Sequence, residues 1–173
     1  ERVVWVVDRP GAVQADVRIG CYGPDRSAPD WQQLQVAACA MGGSFGSRLN
    51  QTLREDRGYT YGANCAFAPL RHGGMFTMSA SFRADVAARA CAETLELMDV
   101  SRAAFTNEEI SAAINYLVGV APLRYDTAGP IASQAGALAA VGLDPKWITS
   151  HYRRIWEVTP EQAQQAFSAR VRP

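Results

Sequence analysis

The chain has 173 residues, 48% of them hydrophobic, and its seventeen basic side chains balance seventeen acidic ones. That length suits one globular domain burying roughly 70% of the surface its unfolded form exposes, and the balanced charge leaves no excess to draw nucleic acid, an anionic membrane or an acidic partner. Four widely spaced cysteines, Cys21, Cys39, Cys65 and Cys91, form no C-x-x-C pair and sit among apolar or small neighbours. They read as buried free thiols, with disulfides left open if the protein is exported. No run of ~18 or more consecutive apolar residues is present, so no membrane span is expected. The sequence opens on Glu1 rather than Met, without a signal-like apolar core, which reads as a mature segment or an excised domain.

Val3-Val4-Trp5-Val6-Val7 is a continuous β-branched and aromatic run stopped by Asp8-Arg9-Pro10-Gly11, the pattern of a strand buried on both faces. Val13, Ala15, Val17, Ile19 and Cys21 then alternate with polar or small residues, predicting a strand with one face on a core. Asp30 is placed to N-cap a helix carrying Trp31, Leu34, Ala38 and Met41, and Gly42-Gly43 is expected to end it with positive φ. A second helix is expected from about Ser44, with Phe45, Leu49 and Leu53 on one face and Asn50, Arg54 and Arg57 on another. Gly58 stops it.

From Tyr59 the residues alternate again, and a turn over Pro69 to Gly74 leads into Phe76, Met78, Ala80 and Phe82, which together predict an antiparallel hairpin. Asp85 opens a helix to about Val100, buried through Ala87, Cys91, Leu95 and Met98. Thr106 with Glu109 makes a capping box ahead of the stripe Ile110, Ala113, Ile114, Leu117 and Val118. Gly129-Pro130 opens an alanine-rich helix suited to close packing, and Asp144-Pro145 and Thr159-Pro160 start the last two. Strands crowd the first half and helices the second, so the fold class is α+β, a mainly antiparallel sheet with helices on one face. Helix termination at Arg170-Val171-Arg172-Pro173 leaves the sheet without a closing strand, which reads as a fragment.

The inventory for chemistry is thin. Neither His72 nor His151 has a carboxylate or second histidine at metal-ligand spacing, so no metal site is expected and both read as surface or packing residues. Gly42-Gly43-Ser44-Phe45-Gly46 lacks the lysine of a P-loop and reads as a tight helix–helix turn. Arg54 and Tyr61, seven positions apart across the Gly58 turn, are the pair with useful chemistry: a guanidinium can hold peptide carbonyls and a neutral phenol can stabilise a developing oxyanion. On residue types alone a structural reading stands beside this one, with Arg54 satisfying its own helix C-terminus and Tyr61 a half-buried sheet aromatic.

The stretch Gly42 to Gly62, with its Gly-Gly, Ser-Arg-Leu, Leu-Arg-Glu and Gly-x-x-Tyr elements, resembles the non-zinc domain of pitrilysin/insulysin-type (inverzincin) zinc metallopeptidases. Asp8 to Gln14 and Val158 to Gln162 extend the likeness over nearly the whole chain. The resemblance implies that residues 1–173 form a single C-terminal-type, substrate-clamping domain. In that family a homologous domain bears the H-x-x-E-H zinc motif, which is absent here. It implies that Arg54 holds substrate backbone, that Tyr61 hydrogen-bonds the scissile carbonyl oxygen, and that zinc comes from a partner domain or subunit. The implied function is the substrate-binding half of a zinc-dependent endopeptidase acting on oligopeptides or unfolded segments, inactive alone. Two alternatives remain: a non-catalytic assembly or peptide-binding subunit of the same superfamily, or an unrelated α+β interaction module. A bacterial periplasmic or envelope location is expected ahead of the cytoplasm.

Overall fold

The computed structural model describes residues 3–173, and among them Val3 to Val7 form no strand. Their side chains are exposed, Trp5 by 88%. The composition of a doubly buried strand is present, but no neighbouring strand pairs with it among the described residues, and strand formation needs a partner.

The sheet has three antiparallel strands in the order β1-β3-β2: β1 (Gln14–Gly23), β2 (Thr60–Pro69) and β3 (Gly74–Arg83). The β2–β3 hairpin closes through the Leu70 amide on the Gly73 carbonyl, with Gly73 at φ 97°. Alternation decides the faces: Phe76, Met78, Ala80 and Phe82 of β3 are buried, as are Ala63, Cys65 and Phe67 of β2. Helices cover that face, as the α+β reading expects.

α1 (Trp31–Ala38) runs into a π-helical turn, Cys39–Gly43, and buries Trp31, Leu34, Ala38 and Met41. Asp30 precedes it without capping it; its carboxylate instead accepts from Arg170, 3.2 Å away. After a 3₁₀ turn (Ala84–Val86), α2 (Ala87–Met98) turns Ala90, Thr94 and Met98 inward, while Ala87, Cys91 and Leu95 are only half-buried. The face turned inward is the one that packs on β1 and β3. Thr94 tolerates burial because its hydroxyl donates to the Ala90 carbonyl at 2.6 Å.

α3 (Asn107–Gly119) carries the Thr106/Glu109 capping box, and α7 (Pro160–Arg170) carries a second one from Thr159 and Gln162. Between them lie α4 (Ala121–Arg124), α5 (Ala128–Ala140) and α6 (Trp147–Trp156). α5 departs from expectation: of its thirteen residues only Leu138 is buried and of its alanines only Ala135 is half-buried, so the alanine-rich surface faces largely outward among the described residues. Phe167 of α7 stands edge-on to Phe76 at 5.6 Å and Phe105 at 5.8 Å, locking the last helix onto the hairpin. All four cysteines are free, and burial pushes Cys39 up to about 11 and Cys65 higher.

His151 is a packing residue, stacked 4.2 Å from Trp147, with its Nδ1 3.2 Å from the amide of buried Gln32. Burial first, then the positive charges of Arg26 and Arg154, pushes it from its usual 6.5 down to about 4. The unfolded chain therefore takes up this proton at higher pH than the folded one, so stability falls as pH drops from about 6.5 to about 4, by about 3 kcal/mol across the window. Chemical denaturation at a series of pH values checks this: His151→Asn should flatten that part of the curve, and an unchanged slope would assign the acid sensitivity elsewhere.

Candidate functional site

The stretch 42–62 builds one wall of an open cleft of about 530 Å³. Gly42 is seated so closely on β2 that a Cβ would meet Cys65 Sγ at 2.9 Å and Cys65 N at 3.0 Å. Neither Gly42 nor Gly43 has positive φ. The glycine requirement at Gly42 is thus one of close approach, in place of the helix-ending conformation expected from sequence.

The chain then bends through Ser44 to Ser47, and the next helix begins at Arg48 and widens into a π-helix over Asn50–Asp56. Arg48 anchors its start. The guanidinium meets Glu109 through Nε at 2.7 Å and NH2 at 2.6 Å, donates to the Ala103 and Ala104 carbonyls at 2.8 Å, and lies over the Phe105 ring. Burial pushes the Glu109 carboxyl up, but the hydrogen bonds from Arg48 and the Thr106 amide outweigh it and hold the group below the usual range.

Leu49 and Leu53 are fully buried, as expected. Phe45 is not: the bend carries it out to 72% exposure, where its ring lies 3.5 Å from the Arg54 guanidinium. Arg54 also pairs with Glu55 at 2.5 Å. Asn50, expected on the polar face, is only 6% exposed. Arg57 turns away to Glu93 at 2.8 Å.

Gly58 reverses the chain with φ 59°. β2 then carries an irregularity: the pairing with β3 shifts by one residue between Thr60, opposite Phe82, and Ala63, opposite Ala80. This bulge decides where Tyr61 points. Simple alternation would put Tyr61 with Ala63, Cys65 and Phe67 under the helices, yet Tyr61 is 92% exposed. A bulge re-aims one side chain against the pleat. It is braced by Thr60, whose hydroxyl accepts from the Gly62 amide at 3.1 Å and donates to the Gly62 carbonyl at 2.9 Å.

Arg54 and Tyr61 both line the cleft, with Phe45 and Asn50 from the helix side and Arg18 from the sheet. Neither side chain of the pair is buried, and the half-buried sheet aromatic that Tyr61 might otherwise be is not what the structure holds. His72 is exposed in the β2–β3 turn and His151 lies on α6, neither lining the cleft. Among the described residues no three His, Cys, Asp or Glu side chains gather as a metal ion would require, and no helix is long and apolar enough to cross a membrane. The residues present therefore do not fit zinc. Phe45 and Asn50 escape sequence reasoning. For Asn50 the signal is a polar side chain one position from fully buried Leu49, on the same helix as Arg54.

These features define an α+β domain with a helix, a bulged strand edge and a polar cleft between them. The description "Peptidase M16 inactive domain" matches residues 1–117, more than half of the chain. The chain belongs to the peptidase M16 inactive-domain family, in agreement with the pitrilysin/insulysin resemblance. It is 28% identical over 152 residues to an uncharacterized zinc protease of Streptomyces coelicolor, a match covering 86% of this chain and 32% of that protein. Its fold superposes on a peptidase M16 inactive domain from Pseudomonas fluorescens with a TM-score of 0.85 at 25% identity, over 93% of this chain and 38% of the other. A protease from Helicobacter pylori shares the fold at a TM-score of 0.84 and 14% identity, over 95% of this chain and 40% of the other. The chain thus spans about a third of the Streptomyces relative.

The glycine that seats the stretch 42–62 and the one that reverses it should separate by mechanism. Gly58→Ala meets no neighbour and costs only its left-handed backbone, about 1 kcal/mol, whereas Gly42→Ala drives a methyl into the Cys65 backbone and sulfur and should cost about 2–3 kcal/mol. Urea unfolding of both variants gives the ranking, and a reversed order would remove close approach as the reason for Gly42.

Proposed function

We propose that this domain is the substrate-clamping, oxyanion-stabilising half of a zinc-dependent endopeptidase whose metal is held by another domain or subunit. The observation that carries the reading is the position of Tyr61, turned by a β-bulge into the cleft that Arg54 also lines. Membership of the inactive-domain family and a relative named as a zinc protease support it. The partner's zinc would supply an activated water.

This chain's own residues do the rest. Attack on a peptide carbonyl moves negative charge onto its oxygen, and a fixed phenol O–H aimed at that oxygen lowers the barrier without changing net charge. Arg54 has five N–H donors in a planar fork; with Glu55 neutralising its charge and Phe45 covering one face, it is suited to holding substrate carbonyls by hydrogen bonds. Extended oligopeptides and unfolded segments present their carbonyls in the form such a cleft can use. The engagement of Arg54 by Phe45 and Glu55 also favours a second reading, a non-catalytic peptide-binding or assembly subunit in which that arginine is already satisfied.

Turnover separates the two. In the complete enzyme, zinc-bearing partner included, Tyr61→Phe should lower kcat by about 10²–10³, with the melting temperature unchanged because the ring is in solvent. Wild-type turnover in that variant would support the non-catalytic reading.

A further inference from the structure

The bulge that aims Tyr61 does not hold itself. β2 is an edge strand, and at Ala63 its outward amide and carbonyl have no strand to pair with. Asn50 takes that place: its Oδ1 accepts from the Ala63 amide at 2.8 Å and its Nδ2 donates to the Ala63 carbonyl at 2.9 Å, the two bonds a neighbouring strand would make. The same Nδ2 lies 2.9 Å from the Ser44 carbonyl and 3.1 Å from Ser47 Oγ, so the bend before the helix is tied to the same point. Every polar atom of this buried amide is engaged.

Asn50 stands four residues before Arg54 on one helix, and Ala63 two residues after Tyr61 on one strand. No other side chain on the described surface of the cleft hydrogen-bonds both elements. We infer that Asn50 is the positioning residue of the cleft: by standing in for a strand at Ala63, it fixes the bulge that presents Tyr61 and sets its place relative to Arg54. This rests on the role proposed above for Tyr61. Thr60 braces the bulge from within; the Tyr59 amide on the Leu53 carbonyl ties its start to the helix end, and Asn50 is the side chain that ties its far side, at Ala63, to the same helix.

The consequence is kinetic. Misplacing a catalytic donor by about 1 Å can cost about 10²-fold, so Asn50→Ala in the complete enzyme should lower kcat by about ten- to a hundredfold, with KM changed less than about threefold. The double variant Asn50→Ala/Tyr61→Phe should turn over no more slowly than Tyr61→Phe alone, because the donor that Asn50 positions is already gone. Met98→Ala, a core truncation outside the cleft, controls for lost stability and should keep kcat at a temperature where both variants stay folded. Should alanine leave too little folded enzyme, the milder Asn50→Ser is the variant to assay, with a smaller loss in the same parameter. Exchange of the Ala63 amide in the same enzyme supplies a readout independent of turnover and should quicken in either variant.

Losses that multiply in the double variant, or an Asn50→Ala enzyme with the kcat of Met98→Ala, would overturn the positioning role while leaving that of Tyr61 standing. Wild-type turnover in Tyr61→Phe would remove both together.

Discussion

How closely the end of the first helix lies on strand β2 governs the rest of the cleft. Gly42 is in contact with the Cys65 backbone, leaving no room for a side chain there. With the helix held so near the sheet, Leu49 can fill the gap beneath and the following helix can reach the strand edge. A wider spacing would leave the Asn50 amide out of reach of Ala63, and the edge groups of the strand would be left to water. Close approach is thus the first condition, and polar pairing across the gap the second.

The contact of the same helix with the helical layer is secured differently. Arg48 gathers the Glu109 carboxylate and two loop carbonyls ahead of α3 while covering Phe105, which in turn packs on Phe167. One cation therefore couples the helix that bears Arg54 to the helical layer behind it. Lysine lacks the planar fork needed to serve carboxylate and carbonyls together. The segment carrying the candidate chemistry is fixed to the sheet at Asn50 and to the helices at Arg48, two independent polar contacts in the first turn of its helix.

What could be read from the sequence was local. β1, the hairpin, the Thr106 capping box and the helix start at Thr159-Pro160 follow from alternation and short-range hydrogen bonding, and all are present. Arg54 and Tyr61 were legible through a motif, but their geometry was not. Alternation alone buries Tyr61, and only the bulge, which depends on pairing with β3, turns it outward. Phe45 has the spacing of a core residue, yet the bend before Arg48 takes it to the arginine. Asn50 belongs to a polar helical face in any wheel projection; its burial follows from an edge strand that needs a partner. Val3 to Val7 shows the converse case, a strand composition to which the described chain brings no pairing partner. Each departure arises where a tertiary neighbour sets the outcome.

α5 makes a different point about the molecule. Of thirteen residues with mostly small side chains only Leu138 is buried, with Gln134 and Ala135 half-buried. One fully buried leucine is light anchorage for it, and an isolated helix of that length is marginal in water. The segment should open and close many times for each global unfolding event, its amides exchanging at rates uncoupled from those of the sheet.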